Sequence, residues 1–76
     1  MTKNYDLFKS VVDSMNASYN HFIATSSEEH HESIKSVVIN RLFGVKYCAM
    51  VILSEKEADK LFEYVNSFDI YKEVSE

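Results

Sequence analysis

Residues 26–33, SSEEHHES, hold the side chains of this chain that are best suited to chemistry: three carboxylates and two imidazoles within eight residues. Such groups bind divalent metals and exchange protons near neutral pH. Glu28 and His31 also stand in the Glu-x-x-His spacing used by carboxylate-bridged metal sites in helical bundles. The pattern indicates one function to consider, a metal- or small-ligand-binding helical protein that uses Glu28, His30 and His31.

A helix start explains the same residues with fewer assumptions. Ser26 and Glu29 have the spacing of a capping box, in which each side chain bonds a backbone amide at the start of a helix. Carboxylates in the first turn also lie at the positive end of the helix dipole. A carboxylate-bridged site needs a second Glu-x-x-His motif, which only a symmetric second subunit could supply. We therefore expect capping, with no metal and no cofactor; a pH-sensitive histidine contact is the remaining alternative.

The rest of the chain has no motif that indicates catalysis. A single glycine, Gly44, cannot build a glycine-rich phosphate loop, and one cysteine cannot form a paired-cysteine zinc site. A nucleophilic Cys48 would need an electropositive setting, and Lys46 alone offers little of one. The sequence therefore predicts a protein that is not an enzyme.

These residues must be positioned by one small domain, predicted to span residues 1–76. Hydrophobic residues make up 46% of the chain, including five Phe and five Tyr, so it should fold rather than stay disordered. The absence of proline favours long helices over a sheet. A chain of this length hides only about 60% of its unfolded surface, so a second subunit is expected to complete the core. The predictions are a mainly α fold and a homodimer.

Charge and apolar runs bear on partners and location. The segment from Ser54 onward has seven acidic residues against three lysines, which accounts for the whole net charge of -4 and argues against direct nucleic-acid binding. The longest apolar run, YCAMVIL, is too short to span a membrane, and no basic and apolar leader opens the chain. The lone Cys48 favours a reducing compartment. We expect a cytoplasmic protein with no membrane contact.

The first helix is predicted over residues 5–24, capped by Asn4, because apolar residues recur there at alternating steps of three and four. The residues on this face are Tyr5, Phe8, Val12, Met15, Tyr19 and Phe22. The face could pack within the chain or form a seam with a second subunit. Because one chain builds little core, we assign these six residues to self-association.

A second helix is predicted over residues 27–43, ended by Gly44 in the left-handed conformation that follows many helices. Its buried face is expected to contain Ile34, Val37, Val38 and Leu42. Residues 45–53 could form a short helix or a strand, buried in either case together with Cys48. The alternative fold is therefore α+β, with strands at 45–53 and 68–74.

The third helix, residues 54–67, is the most clearly marked. Ser54 and Glu57 form a second capping box. The buried stripe is Ala58, Leu61, Phe62, Val65 and Phe68. On the opposite side, Glu55, Asp59 and Glu63 recur every four residues, about 6 Å apart along the axis. Lysines nearby could offset part of their repulsion and leave a solvated face, or the carboxylates could form a binding ridge for a basic surface.

Together these features predict a small protein-interaction module. It is expected to be dimeric and to regulate or inhibit a larger protein that has a basic surface. A nucleic-acid-handling protein would suit this description, with the acidic C-terminal face acting as a nucleic-acid mimic. Glu55, Asp59 and Glu63 are the predicted partner-binding residues.

Overall fold

The computed structural model describes residues 2–72, and most of them lie in three α-helices. The elements in chain order are α1 (Lys3–Thr25), a 3-10 turn (Glu28–His30), α2 (His31–Ile52), α3 (Glu55–Asn66) and a second 3-10 turn (Asp69–Tyr71). The mainly α prediction is confirmed. The α+β alternative is wrong for residues 45–53, which are helical up to Ile52; the other predicted strand, 68–74, contains a 3-10 turn (Asp69–Tyr71) in its described part, and residues 73 and 74 lie outside that part.

The helix α1 begins two residues earlier than predicted because Thr2, not Asn4, caps it. The Thr2 hydroxyl oxygen accepts a hydrogen bond from the backbone N–H of Tyr5 at 3.2 Å. Such a bond satisfies one of the amides that have no partner within the helix. Asn4 lies inside the first turn instead, so the predicted cap is wrong by two positions.

Helix α2 does not end at Gly44, as predicted, but continues for eight more residues to Ile52. Gly44 has no positive φ angle, so its special conformational freedom is not used. A glycine inside a helix costs about 1 kcal/mol relative to alanine. Burial of Ala49 and Leu53 beyond it outweighs that cost, because both become part of the core only if the helix continues.

The core lies where the first half of α1, the second half of α2 and α3 meet. It consists of Tyr5, Val12, Leu42, Ala49, Leu53, Ala58, Leu61, Val65, Phe68 and Ile70. The stripe predicted for α3 is confirmed: four of its five residues are buried, and Phe62 is half-buried. Because α3 has 12 residues and α2 has 22, α3 covers only part of the α1–α2 hairpin.

Burial along α2 differs from the prediction. Leu42 is buried and Ile34 and Val38 are half-buried, but Val37 is exposed. Residues 45–53 were expected to be buried together with Cys48, and this is wrong, since only Ala49 and Leu53 are buried and Cys48 is exposed. The reason is geometric: α1 and α3 cover one side of α2, while apolar residues occupy every side of its second half.

Candidate functional site

The three predicted partner-binding carboxylates lie in one row along α3, and we call them the acidic ridge: Glu55, Asp59 and Glu63. All three are exposed. Within residues 2–72, none of them forms an ion pair or a hydrogen bond. The lysines expected to offset them, Lys56 and Lys60, also form no ion pair in this part of the chain. The ridge therefore presents three carboxylates to solvent, none of them held in a direct ion pair with another described residue.

Glu57, the neighbouring acidic residue, has a structural role instead. The hydroxyl of Ser54 accepts a hydrogen bond from the Glu57 backbone N–H at 3.2 Å, which is one half of the predicted capping box. The Glu57 carboxylate does not return to Ser54 but accepts from the backbone N–H of Thr2 at 3.1 Å and from its hydroxyl at 3.2 Å. These bonds join the start of α1 to the start of α3, and they keep Glu57 out of the ridge.

The capping box predicted at Ser26 and Glu29 is not formed. Ser26 ends α1, where its backbone N–H donates to the carbonyl of Phe22 at 3.0 Å. Ser27 precedes the 3-10 turn without a side-chain cap, and Glu29 is exposed. The prediction is wrong because the connection between α1 and α2 is too short for Ser26 to serve both helices.

His31 instead closes the end of α1. Its Nε2 lies 3.1 Å from the carbonyl oxygen of Ile23 and 3.3 Å from that of Ser26. As an N–H donor, it satisfies carbonyls that have no amide partner at the end of a helix. This role was missed because the histidine belongs to the following helix and only the turn brings it back to α1.

The structure does not bring the proposed ligands Glu28, His30 and His31 together. The ring of His31 is turned toward α1, whereas His30 is exposed, with its Nε2 3.7 Å from a carboxylate oxygen of Glu29. Across the part of the chain that the structure describes, no group of three or more His, Cys, Asp or Glu side chains could hold a metal ion.

The predicted self-association stripe of α1 packs mainly within the chain. Tyr5 and Val12 are buried in the core, so they have no surface to offer a second subunit. Phe8, Met15 and Tyr19 are half-buried and pack against the core. Of the six residues, Phe22 alone is exposed. Most of the surface of this stripe is therefore buried by packing within the chain, which was one of the two roles considered for it.

A different apolar surface, which the sequence analysis missed, lies on α2. We call it the α2 apolar face: Phe43, Tyr47, Met50 and Val51, together with Val37 and Gly44. Its large side chains recur at steps of three and four on the side away from α1 and α3, so they form one continuous strip. The signal was present, because residues 42–53 contain one charged residue, Lys46, and a helix that is apolar all round needs cover on every side.

The cluster of Lys9, Asp13 and Tyr64 holds α3 against α1. The Tyr64 hydroxyl donates a hydrogen bond to the Asp13 carboxylate. Lys9 Nζ lies 4.0 Å from Asp13 Oδ2 and 4.6 Å from the centre of the Tyr64 ring. The hydrogen bond to Asp13, followed by burial, raises the pKa of Tyr64 above its ordinary value. The cluster thus favours the protonated phenol in the folded chain.

Among the described residues, no helix combines the length and the apolar character that crossing a membrane requires. The chain matches no family model, and comparisons with curated proteins and with solved structures also find no match.

Proposed function

We propose that this chain is a small protein-interaction module that binds and regulates or inhibits a larger protein with a basic surface. The acidic ridge on α3 is the observation that carries the proposal. Glu55, Asp59 and Glu63 are exposed and about one helical turn apart, and no ion pair joins them to another residue within 2–72. Like charges at this spacing destabilise a helix by a few tenths of a kcal/mol per pair. They contribute nothing to the core, which supports a role in binding.

The partner class follows from electrostatic complementarity. A row of carboxylates is attracted to clustered Lys and Arg side chains, such as those that proteins use to bind nucleic-acid phosphates. Occupying such a surface would exclude its normal ligand, so the proposed effect on the partner is regulation or inhibition. The proposed role is non-enzymatic.

We further propose that the module is dimeric and cytoplasmic. The core that the described residues form, with ten buried hydrophobic side chains, is small, so a second subunit would add burial that one chain lacks. Cys48 is a free cysteine on the surface, and such a thiol persists best in a reducing compartment.

Charge reversal tests the role of the ridge. The triple variant Glu55→Lys, Asp59→Lys, Glu63→Lys changes the formal net charge from -4 to +2 without altering a buried residue. We expect the fold to survive, as measured by circular dichroism. Association with the partner, first isolated from host lysate with the parent chain, should slow by tenfold or more at low salt. Parent binding should also weaken as salt rises, because exposed charges are screened.

The matched control reverses acidic residues elsewhere. Glu28→Lys with Glu32→Lys alters two exposed carboxylates near the α1–α2 turn and should slow association much less. Surface plasmon resonance on the purified pair gives both rate constants across salt concentrations. If the triple variant associates as fast and binds as tightly as the parent at every salt concentration, the ridge is only a solvated helix face.

A further inference from the structure

We propose that the α2 apolar face is the surface on which a second copy of this chain docks, with α2 of one copy packed against α2 of the other. This inference rests on the proposed dimer and assigns its surface. The dimer contact is therefore assigned to exposed residues of α2. The α1 stripe predicted from the sequence is mostly packed against the core of its own chain.

Exposure is concentrated on the hairpin of α1 and α2. Among residues 2–72, nine large hydrophobic residues are exposed, and none of them is on α3. Five lie in the last ten residues of α2: Phe43, Tyr47, Met50, Val51 and Ile52. Exposed fractions reach 69% for Phe43 and 73% for Val51, so the fold itself gives these side chains little cover.

The exposed area is close to what a stable dimer needs. Aromatic side chains bury about 150 to 250 Å² each when covered, so the five large residues of the face, together with the adjoining Leu7 and Val11, present roughly 700 Å² in their partly exposed state. A standard interface takes about 800 Å² from each partner. Leu7 and Val11 extend the surface across the open side of the hairpin, where they line one hollow together with Gly44, Cys48 and the exposed Arg41.

Charge favours a second copy as the occupant. The α2 apolar face itself contains no charged residue, and Arg41 lies only at the adjoining hollow, so two copies can meet along the face without bringing like charges together. The acidic ridge, which would repel a copy of itself, is on a different helix, α3. Every folded copy of the chain leaves the α2 apolar face exposed to solvent. A second copy that could bury this face is present wherever the protein is made.

At Gly44, a second copy of the chain can approach the backbone of α2 closely. It is in the interior of α2, and no atom of the described chain outside its own helical neighbourhood lies within 4 Å of the position a Cβ would occupy. Packing within the chain therefore does not require a small residue there, although glycine costs helix stability. Gly44 lines the hollow formed with Leu7, Val11 and Cys48, and a side chain from a second copy can enter that hollow.

Sedimentation equilibrium tests the surface. The parent should have twice the 8.8 kDa chain mass at tens of micromolar and dissociate on dilution. Tyr47→Lys places a charge at the centre of the face and should raise the dimer dissociation constant at least tenfold. Ser10→Lys, the control, adds the same charge at an exposed position of α1 and should change the constant less than twofold.

A milder variant covers the case in which Tyr47→Lys fails to fold. Val51→Thr keeps the shape of the side chain, and its hydroxyl is hydrated in a monomer but buried in the proposed dimer, so dissociation should still rise severalfold. A parent that is monomeric throughout overturns both the dimer and its surface. A dimer unchanged by either variant overturns the surface alone. The ridge is tested separately, through partner binding.

Discussion

Replacing Leu61 with alanine is expected to lower the free energy of unfolding by about 2 to 5 kcal/mol. Leu61 lies on α3 at the centre of the core and is completely buried. Its removal leaves a cavity between α3 and the hairpin, which the surrounding close-packed core residues can fill only in part. Total stabilities of small domains are about 5 to 15 kcal/mol, so much of the helicity should be lost at moderate urea concentrations.

The control for this prediction is the same substitution at an exposed leucine. Leu7→Ala removes a side chain that is 62% exposed and should change stability by about 0.5 kcal/mol or less at low protein concentration. Urea denaturation followed by circular dichroism measures both variants. Equal losses would mean that α3 does not form the core with α1 and α2 as described.

Removing the hydroxyl of Tyr64 should also destabilise the fold and change its response to alkaline pH. Tyr64→Phe keeps the ring, which packs 5.2 Å from that of Phe68, and deletes the donor to Asp13. A hydrogen bond to a carboxylate contributes about 1.5 to 3 kcal/mol, and partial exposure places this one at the lower end. The expected loss at neutral pH is about 1 to 2 kcal/mol.

The pH dependence follows from the raised pKa of Tyr64. The folded chain holds the phenol proton more tightly than the unfolded chain does, because of the bond to Asp13 and then burial. This contribution is fully present below the ordinary phenol pKa of about 10 and is lost as pH rises through the higher folded value. Above pH 10, the parent should therefore lose stability more steeply than Tyr64→Phe.

Urea midpoints at a series of alkaline pH values measure this difference. Tyr71 has a pKa that burial also raises, so Tyr64→Phe should retain part of the alkaline loss. Asp13→Asn removes the negative charge that holds the phenol proton and should reduce the dependence in the same direction as Tyr64→Phe. Parallel curves for the parent and both variants would contradict a coupling between Tyr64 and Asp13.

Features encoded by near neighbours were predictable. Helix α3 follows from its stripe at steps of three and four and from Ser54, whose hydroxyl caps it as expected. The extent of α1 follows from the same periodicity, apart from the two-residue shift caused by Thr2. The exposure of the ridge also follows, because its three positions lie opposite the buried stripe. Each of these features depends on residues within about one helical turn.

Features that join different helices were not predictable. The carboxylate of Glu57 has the spacing of a capping box, yet it binds Thr2, 55 positions away in the chain. His31 donates to carbonyls at the end of the preceding helix, five and eight positions back, because the turn between the helices folds it toward α1. The residue pattern within one helix contains neither contact, since each one joins two helices.

Gly44 and Cys48 show that packing between helices also decides where α2 ends and which of its residues are buried. The apolar composition of residues 45–53 indicates burial. Complete burial requires a packed helix on each side of α2, and composition does not reveal how many helices pack there. The fold provides α1 on one side and the 12-residue α3 on another. Helix α2 therefore continues through Gly44, because its inward face is packed against α1 and α3. Cys48 and the α2 apolar face remain exposed, because no further helix of the described chain covers them.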